Sequence, residues 1–313
     1  MDAWHAGDVR TAILIGVLVI SLVAGATIYV RTERSEAQDL VVVGTGPESE
    51  ARLVAEILVA LLEGAGVPAQ VQPYESSRAA RGALELGSVD ALPSYTGSVW
   101  LEVLRRPELE GDPAESYEVV RRADIRRDLI WLPPTQVNAT FTFVVPDSGA
   151  TARLVDMSDL AGFLERNPEA RLCADRDFAR RPDGLTAVAE TYAMREVDVI
   201  EAPADVTVEA VLRGDCVAGL TSATDPALAA RDVKALDDDR RVFPAFVLAV
   251  VVTNELRERE DGAAVAALTA FDGRVTNQLL AEWNARVFVP EPLETVARDA
   301  AVFLTAPPPS PAG

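Results

Sequence analysis

Apolar positions along this chain follow two rhythms that take turns. A run of twenty uncharged residues, 11–30, is followed by a polar stretch, 31–38. After it, short β-branched runs alternate with apolar residues at helical spacing. Residues 40–43 (LVVV) predict a strand ended by Gly44, and Leu53, Ile57, Leu58, Leu61 and Leu62 share one face of a helix beginning near Ser49. A second strand is predicted over 67–72, a helix over 78–86 behind Ser76 and Ser77, and a third strand over 89–92. Helices through Trp100 and Leu104 and over 117–127 lead to a strand at 139–145. A second series then begins: strand 171–174, loop 178–184, helix 185–192, strand 197–200, helix 206–212 and strand 217–220. The apolar run 246–252 predicts a buried strand, and 263–280 and 293–304 predict helices. Alternating units of this length predict an α/β fold with parallel sheets and helices on both faces.

In such sheets ligands collect at the carboxyl ends of the strands. Three segments occupy those ends here: 44–50, 76–77 and 94–97. Ser49, Ser76, Ser77, Thr96, Thr140 and Thr224 are candidate hydrogen-bond donors to a polar ligand. Each is equally the residue type that a helix cap or turn uses.

Composition narrows the function. Forty-nine acidic residues against 29 basic ones give a formal net charge of −20. Such a surface repels phosphate backbones, which argues against nucleic acid as a partner. The single histidine, His5, precedes the apolar segment, so the folded region has no histidine base, no histidine metal ligand and no Ser–His–Asp triad. No catalytic motif and no cofactor is expected. Segment 11–30 is long enough to cross a bilayer as a helix. Ala24, Gly25 and Ala26 also resemble a signal-peptidase site, so an anchor and a cleaved signal both remain open. Cys173 and Cys216 are the only cysteines. Outside the cytoplasm such a pair forms a disulfide, and otherwise it is two buried thiols.

Several short motifs share one register. Gly44 with Ser49-Glu50, Glu75-Ser76-Ser77 with Ala83-Leu84, Gly87 and Val89-Asp90, the triplet Tyr95-Thr96-Gly97, and Asn138 with Thr140-Phe141 come first. Arg181-Pro182-Asp183-Gly184, Glu209-Ala210 with Gly214, Thr224-Asp225, Asp238-Asp239 with Phe243-Pro244, and then Asn284, Pro292 and Val296-Ala297 follow. In this order they resemble the substrate-binding components of glycine betaine/carnitine/choline-type osmoprotectant ABC transporters, over about residues 40–305.

The resemblance implies a two-lobed periplasmic-binding-protein fold of type II with two crossovers, to which segment 11–30 adds an expected N-terminal transmembrane helix. Its expected parts are a tail (1–10), an anchor or uncleaved signal (11–30), a linker (31–38), lobe 1 (39–142), lobe 2 (143–242), the return to lobe 1 with the C-terminal helices (243–305), and a disordered proline-rich tail (306–313). It implies a small zwitterionic or quaternary-amine solute between the lobes, an ABC permease and ATPase as partners, and a membrane-tethered domain outside the cytoplasm. Aromatic rings would hold the cation, since ring faces carry negative quadrupole. Tyr95 and Phe141 stand at cage positions, and Phe178 is placed to supply a further ring beside Arg180 and Arg181. Val208 and Ser222 stand where family members carry aromatics. That erosion leaves a second reading, a sensor or scaffold on the same fold.

Overall fold

The computed structural model describes residues 40–106, 111–180, 182–194, 197–259, 262–289 and 291–307. Segments 1–10, 11–30 and 31–38, Arg181 and most of the 306–313 tail lie outside them. Among the described residues no helix is long and apolar enough to cross a membrane.

Two five-stranded sheets form the two lobes. The first holds β1 (Val41–Thr45), β2 (Ala69–Pro73), β3 (Ala91–Tyr95), β4 (Leu129–Trp131) and the late strand β10 (Leu248–Thr253), in the order β2-β1-β3-β10-β4. The second holds β5 (Phe141–Pro146), β6 (Leu172–Ala174), β7 (Val199–Glu201), β8 (Ala218–Ser222) and β9 (Val233–Ala235), in the order β7-β6-β8-β5-β9. Both sheets are mixed, which corrects the expectation of all-parallel sheets. β1 and β3 run parallel, as do β6 with β7 and β8, but β10 is antiparallel to β3 and β4, and β5 to β8 and β9. A parallel neighbour needs a crossover, usually helical, to bring the chain back to the same edge. β5 and β10 instead enter straight from the other lobe.

Among the described residues seven longer helices cover the sheets: α1 (Ser49–Gly64), α2 (Ser77–Glu85), α3 (Pro113–Ile125), α4 (Met157–Arg166), α5 (Ala204–Leu212), α6 (Asn277–Phe288) and α7 (Leu293–Thr305). The apolar face of α1, with Leu53, Ile57, Leu58 and Leu62 fully buried, packs along α7. Ser76 caps α2, its hydroxyl accepting from Ala79 N at 3.1 Å. The helix expected over 263–280 is two, Ala263–Thr269 and α6. A turn around Gly273 separates them, and the Thr276 hydroxyl caps the second by accepting from Leu279 N. Apolar spacing persists through that turn because Phe271 and Val275 are core residues, so periodicity alone joins what backbone geometry divides. The loop expected over 178–184 is helical, Arg176–Arg180 followed by the irregular turn Pro182–Thr186.

The two crossovers run side by side. Ala139 N donates to Phe246 O at 3.0 Å, Phe246 N to Asn138 Oδ1 at 2.7 Å, and the Thr140 hydroxyl to Pro244 O at 2.6 Å. Asn277 of α6 holds the first of them, its side-chain amide exchanging hydrogen bonds with the Asn138 backbone at 2.8 and 3.1 Å. Cys173 on β6 and Cys216 ahead of β8 form a disulfide, with Cα atoms 5.8 Å apart, inside the second lobe's core. Closing a loop across a separation of 43 residues stabilises by about 4 kcal/mol through the entropy removed from the unfolded chain.

Candidate functional site

A cavity of about 610 Å³ opens at the carboxyl ends of β1 and β3, where α1 and α2 begin. Gly46, Glu48 and Glu50 come from the β1–α1 turn, Ser77 from α2, and Ser94 and Tyr95 from β3. The two crossovers add Ala139 and Phe246, and Ser222 reaches the cavity from the second lobe.

Gly46 lies where two polar side chains converge. A Cβ there would collide with both the Glu48 carboxylate and the Ser77 hydroxyl. Those two groups meet across the glycine, Ser77 Oγ donating to Glu48 Oε2 at 3.0 Å. The positive N-termini of α1 and α2 therefore face the chain's own carboxylates, and a negative charge there is favourable.

Glu50 anchors a second chain of bonds. It accepts from the Tyr95 hydroxyl through one oxygen and from Asn284 Nδ2 at 2.7 Å through the other. The same Asn284 amide donates to Thr224 O in the second lobe at 3.0 Å. Burial raises the Tyr95 phenol well above its ordinary pKa, and the neighbouring Glu50 charge raises it further. Tyr95 thus stays a neutral donor, with its ring held at the cavity wall.

The remaining sequence-derived candidates fall into different places. Ser77 lines the cavity, whereas Ser76 serves as a cap and Ser49 opens α1 as an exposed residue. Thr96 is fully buried, its hydroxyl donating to Ala245 O at 3.2 Å and accepting from Val247 N at 3.0 Å, so it fastens β3 to the second crossover. Thr224 is buried, its hydroxyl paired with Ser222 Oγ at 3.1 Å. Phe141 is half-buried at the start of β5, opposite the wall residue Ser222. Its ring packs on Phe178 and Phe243, with centroids at 5.2 and 6.0 Å. Phe178, only 3% exposed, belongs to the second lobe's core, and Val208 is likewise buried. Arg180 is paired with Glu201 at 3.1 Å.

Phe246 is the wall ring that the sequence pattern hid, because it opens an apolar run read as strand core. Its signal is Gly97. A Cβ at Gly97 would lie 2.6 Å from the Phe246 ring, so only glycine lets that ring lie against the backbone after β3. Tyr95 and Phe246 are thus two aromatic walls of one cavity that also holds Glu50.

Residues 39–301 match the family described as the substrate binding domain of the ABC-type glycine betaine transport system. This chain belongs to that family. It is similar to the glycine-betaine-binding protein of Pseudomonas aeruginosa, with 31% identity over 268 residues, 82% of this chain and 84% of that protein. The glycine betaine-binding protein YehZ of Escherichia coli is 29% identical over 236 residues, 71% of this chain and 77% of YehZ. The solved structure of apo YehZ superposes with a TM-score of 0.76 at 25% identity, covering 83% of this chain and 96% of that one. The chain is accordingly a solute-binding component of an ABC transport system, on the two-lobed periplasmic-binding-protein fold.

In this family member the α2 wall of the cavity is fixed by a buried ion pair. Arg81, buried on α2, makes a two-pronged pair with the fully buried Asp124 of α3, at 2.8 and 2.7 Å. Asp124 also accepts from Trp131 Nε1 on β4 at 2.7 Å, and Arg81 donates to Glu85 at 2.9 Å. Burial works against the Arg81 charge, but the Asp124 and Glu85 bonds outweigh it and raise its pKa above the ordinary value. One carboxylate therefore joins α2, α3 and β4.

Proposed function

We propose that the protein captures glycine betaine or a closely related quaternary amine in this cleft and delivers it to an ABC permease and ATPase. The observation that carries the reading is the pairing of two rings, Tyr95 and Phe246, with the Glu50 carboxylate at one cavity. A desolvated cation over a ring face gains about 0.5–2 kcal/mol. Glu50 adds direct charge attraction, and the net charge of −20 favours approach of cations over anions. The solute's carboxylate would turn toward the hydroxyls of Ser94 and Ser98, which line the same space. Because Ser222 reaches the cavity from the second lobe, a bound solute touches both halves and shifts the population toward a closed form. Asn284, which ties Glu50 to the Thr224 carbonyl, would hold that form shut. No chemical step is part of this reading.

Isothermal titration of the purified protein with glycine betaine, choline, carnitine and proline betaine tests it. Saturable binding of glycine betaine is expected, and no heat with any of the four would overturn the reading. Asn284→Ala should weaken glycine betaine binding about tenfold, the worth of one hydrogen bond to a charged group. An unchanged affinity would remove Asn284 from the closing contact.

On the same reading the folded part lies outside the cytoplasm, with residues 11–30 as its membrane anchor. The full-length chain should then stay with the membrane fraction through an alkaline wash. Release of a chain shortened near Ala24–Ala26 would mean a cleaved signal instead.

A further inference from the structure

The cavity is larger than a trimethylated glycine needs. Its volume of about 610 Å³ falls in the range of about 300–1,000 Å³ that holds drug-sized molecules. The excess runs away from the two rings, along a groove between α2 and the helical turns that follow β3, Thr96–Ser98 and Val99–Val103. Leu92, Val99 and Val103 give the groove apolar walls. At its outer end the charges are paired, Arg78 with Glu102 at 3.5 Å and Arg127 with Glu85 at 3.9 Å. Both sides of the groove belong to the first lobe, so closure of one lobe on the other does not collapse it.

Gly82 points to the groove independently. It sits inside α2, and its backbone is ordinary helix, so neither a turn nor a positive φ calls for glycine. A helix interior is where glycine is least favourable apart from proline. An added Cβ there would meet no atom within 4 Å, although Gly82 lines the cavity. The missing side chain accommodates nothing in the protein, and leaves open space beside α2.

We infer that this groove is a second compartment of the binding site, and that the solute is a quaternary amine bearing an apolar substituent. The cationic head sits at Tyr95 and Phe246, and the substituent runs past Gly82 toward Val99 and Val103. This rests on the reading of the cleft as a quaternary-amine site.

Glycine betaine and its analogue with one N-methyl replaced by N-butyl separate the possibilities. Each buried methylene raises affinity about fourfold, so the three added ones should give the analogue at least about a tenfold advantage. Gly82→Leu fills the groove from α2. It should raise the melting temperature and cut the butyl advantage below about threefold. Gly82→Ala gains the same helix propensity without filling the groove, and should keep the advantage. If glycine betaine binds but the butyl analogue binds no better, or its advantage survives Gly82→Leu, the groove is not a subsite and the inference fails alone. If neither compound binds, the quaternary-amine reading falls and takes the inference with it.

Discussion

Asp124→Ala is expected to lower folding stability by about 3–5 kcal/mol, measured by urea denaturation, because it strands a buried cation. Arg81 is 8% exposed and Asp124 fully buried. Removing the carboxylate leaves the guanidinium with Glu85 alone, and leaves the Trp131 indole N–H without its acceptor. Both losses fall on the α2–α3–β4 junction, from which Arg81 lines the cavity. The expected loss reflects the unpaired charge more than the worth of the pair itself. Replacing both partners with apolar residues, Arg81→Met with Asp124→Leu, should therefore recover most of the stability. The recovery should stop about 1–3 kcal/mol short, the cost of the buried indole donor left unsatisfied. A loss below about 1 kcal/mol for Asp124→Ala would mean that water reaches Arg81 and that the junction does not depend on this carboxylate.

Local features of this fold were legible from sequence, and long-range ones were not. The Ser76 cap, the apolar face of α1 and the strand at β3 depend on residues within a few positions of one another, where spacing reports geometry directly. The direction of β5 and β10 depends on where the chain arrives from, across the crossovers, and no local spacing encodes that. The disulfide stood as one of two alternatives, because pairing requires β6 and the turn before β8 to be neighbours. Aromatic residues were the hardest to assign. A ring that holds a cation and a ring that fills a core have the same hydrophobic signature. Phe141 and Phe178 read as cage residues, yet they pack with Phe243 on the second lobe's apolar cluster. Phe246 read as core, yet it lines the cavity beside Tyr95. Glu48 went unnoticed and Asn284 stood in the shared register without a role, since each acts on a residue far away in sequence.

Gly97→Ala should reduce affinity for glycine betaine at least as much as removing the Phe246 ring outright. The new methyl would lie 2.6 to 2.7 Å from three atoms of that ring, well inside contact distance. The backbone of Phe246 cannot retreat easily: its N–H is held by Asn138 Oδ1 at 2.7 Å and its carbonyl by Ala139 N at 3.0 Å. Thr96, one residue before the glycine, binds the crossover on both sides of Phe246, at Ala245 O and Val247 N. The ring must therefore rotate, and it borders the cavity. Overpacking of this kind costs about 1–3 kcal/mol of stability. Phe246→Ala removes one ring face, worth up to about 2 kcal/mol or thirtyfold in affinity. A displaced ring in Gly97→Ala loses the same face and obstructs the site as well. The double variant should regain the stability lost to the clash without regaining affinity, a non-additivity expected of residues in contact. Melting temperature and titration on the four proteins of this cycle read the two effects separately. If Gly97→Ala binds glycine betaine as the parent does, Phe246 is not the ring that holds the cation, and Tyr95 and Glu50 must carry the head group without it.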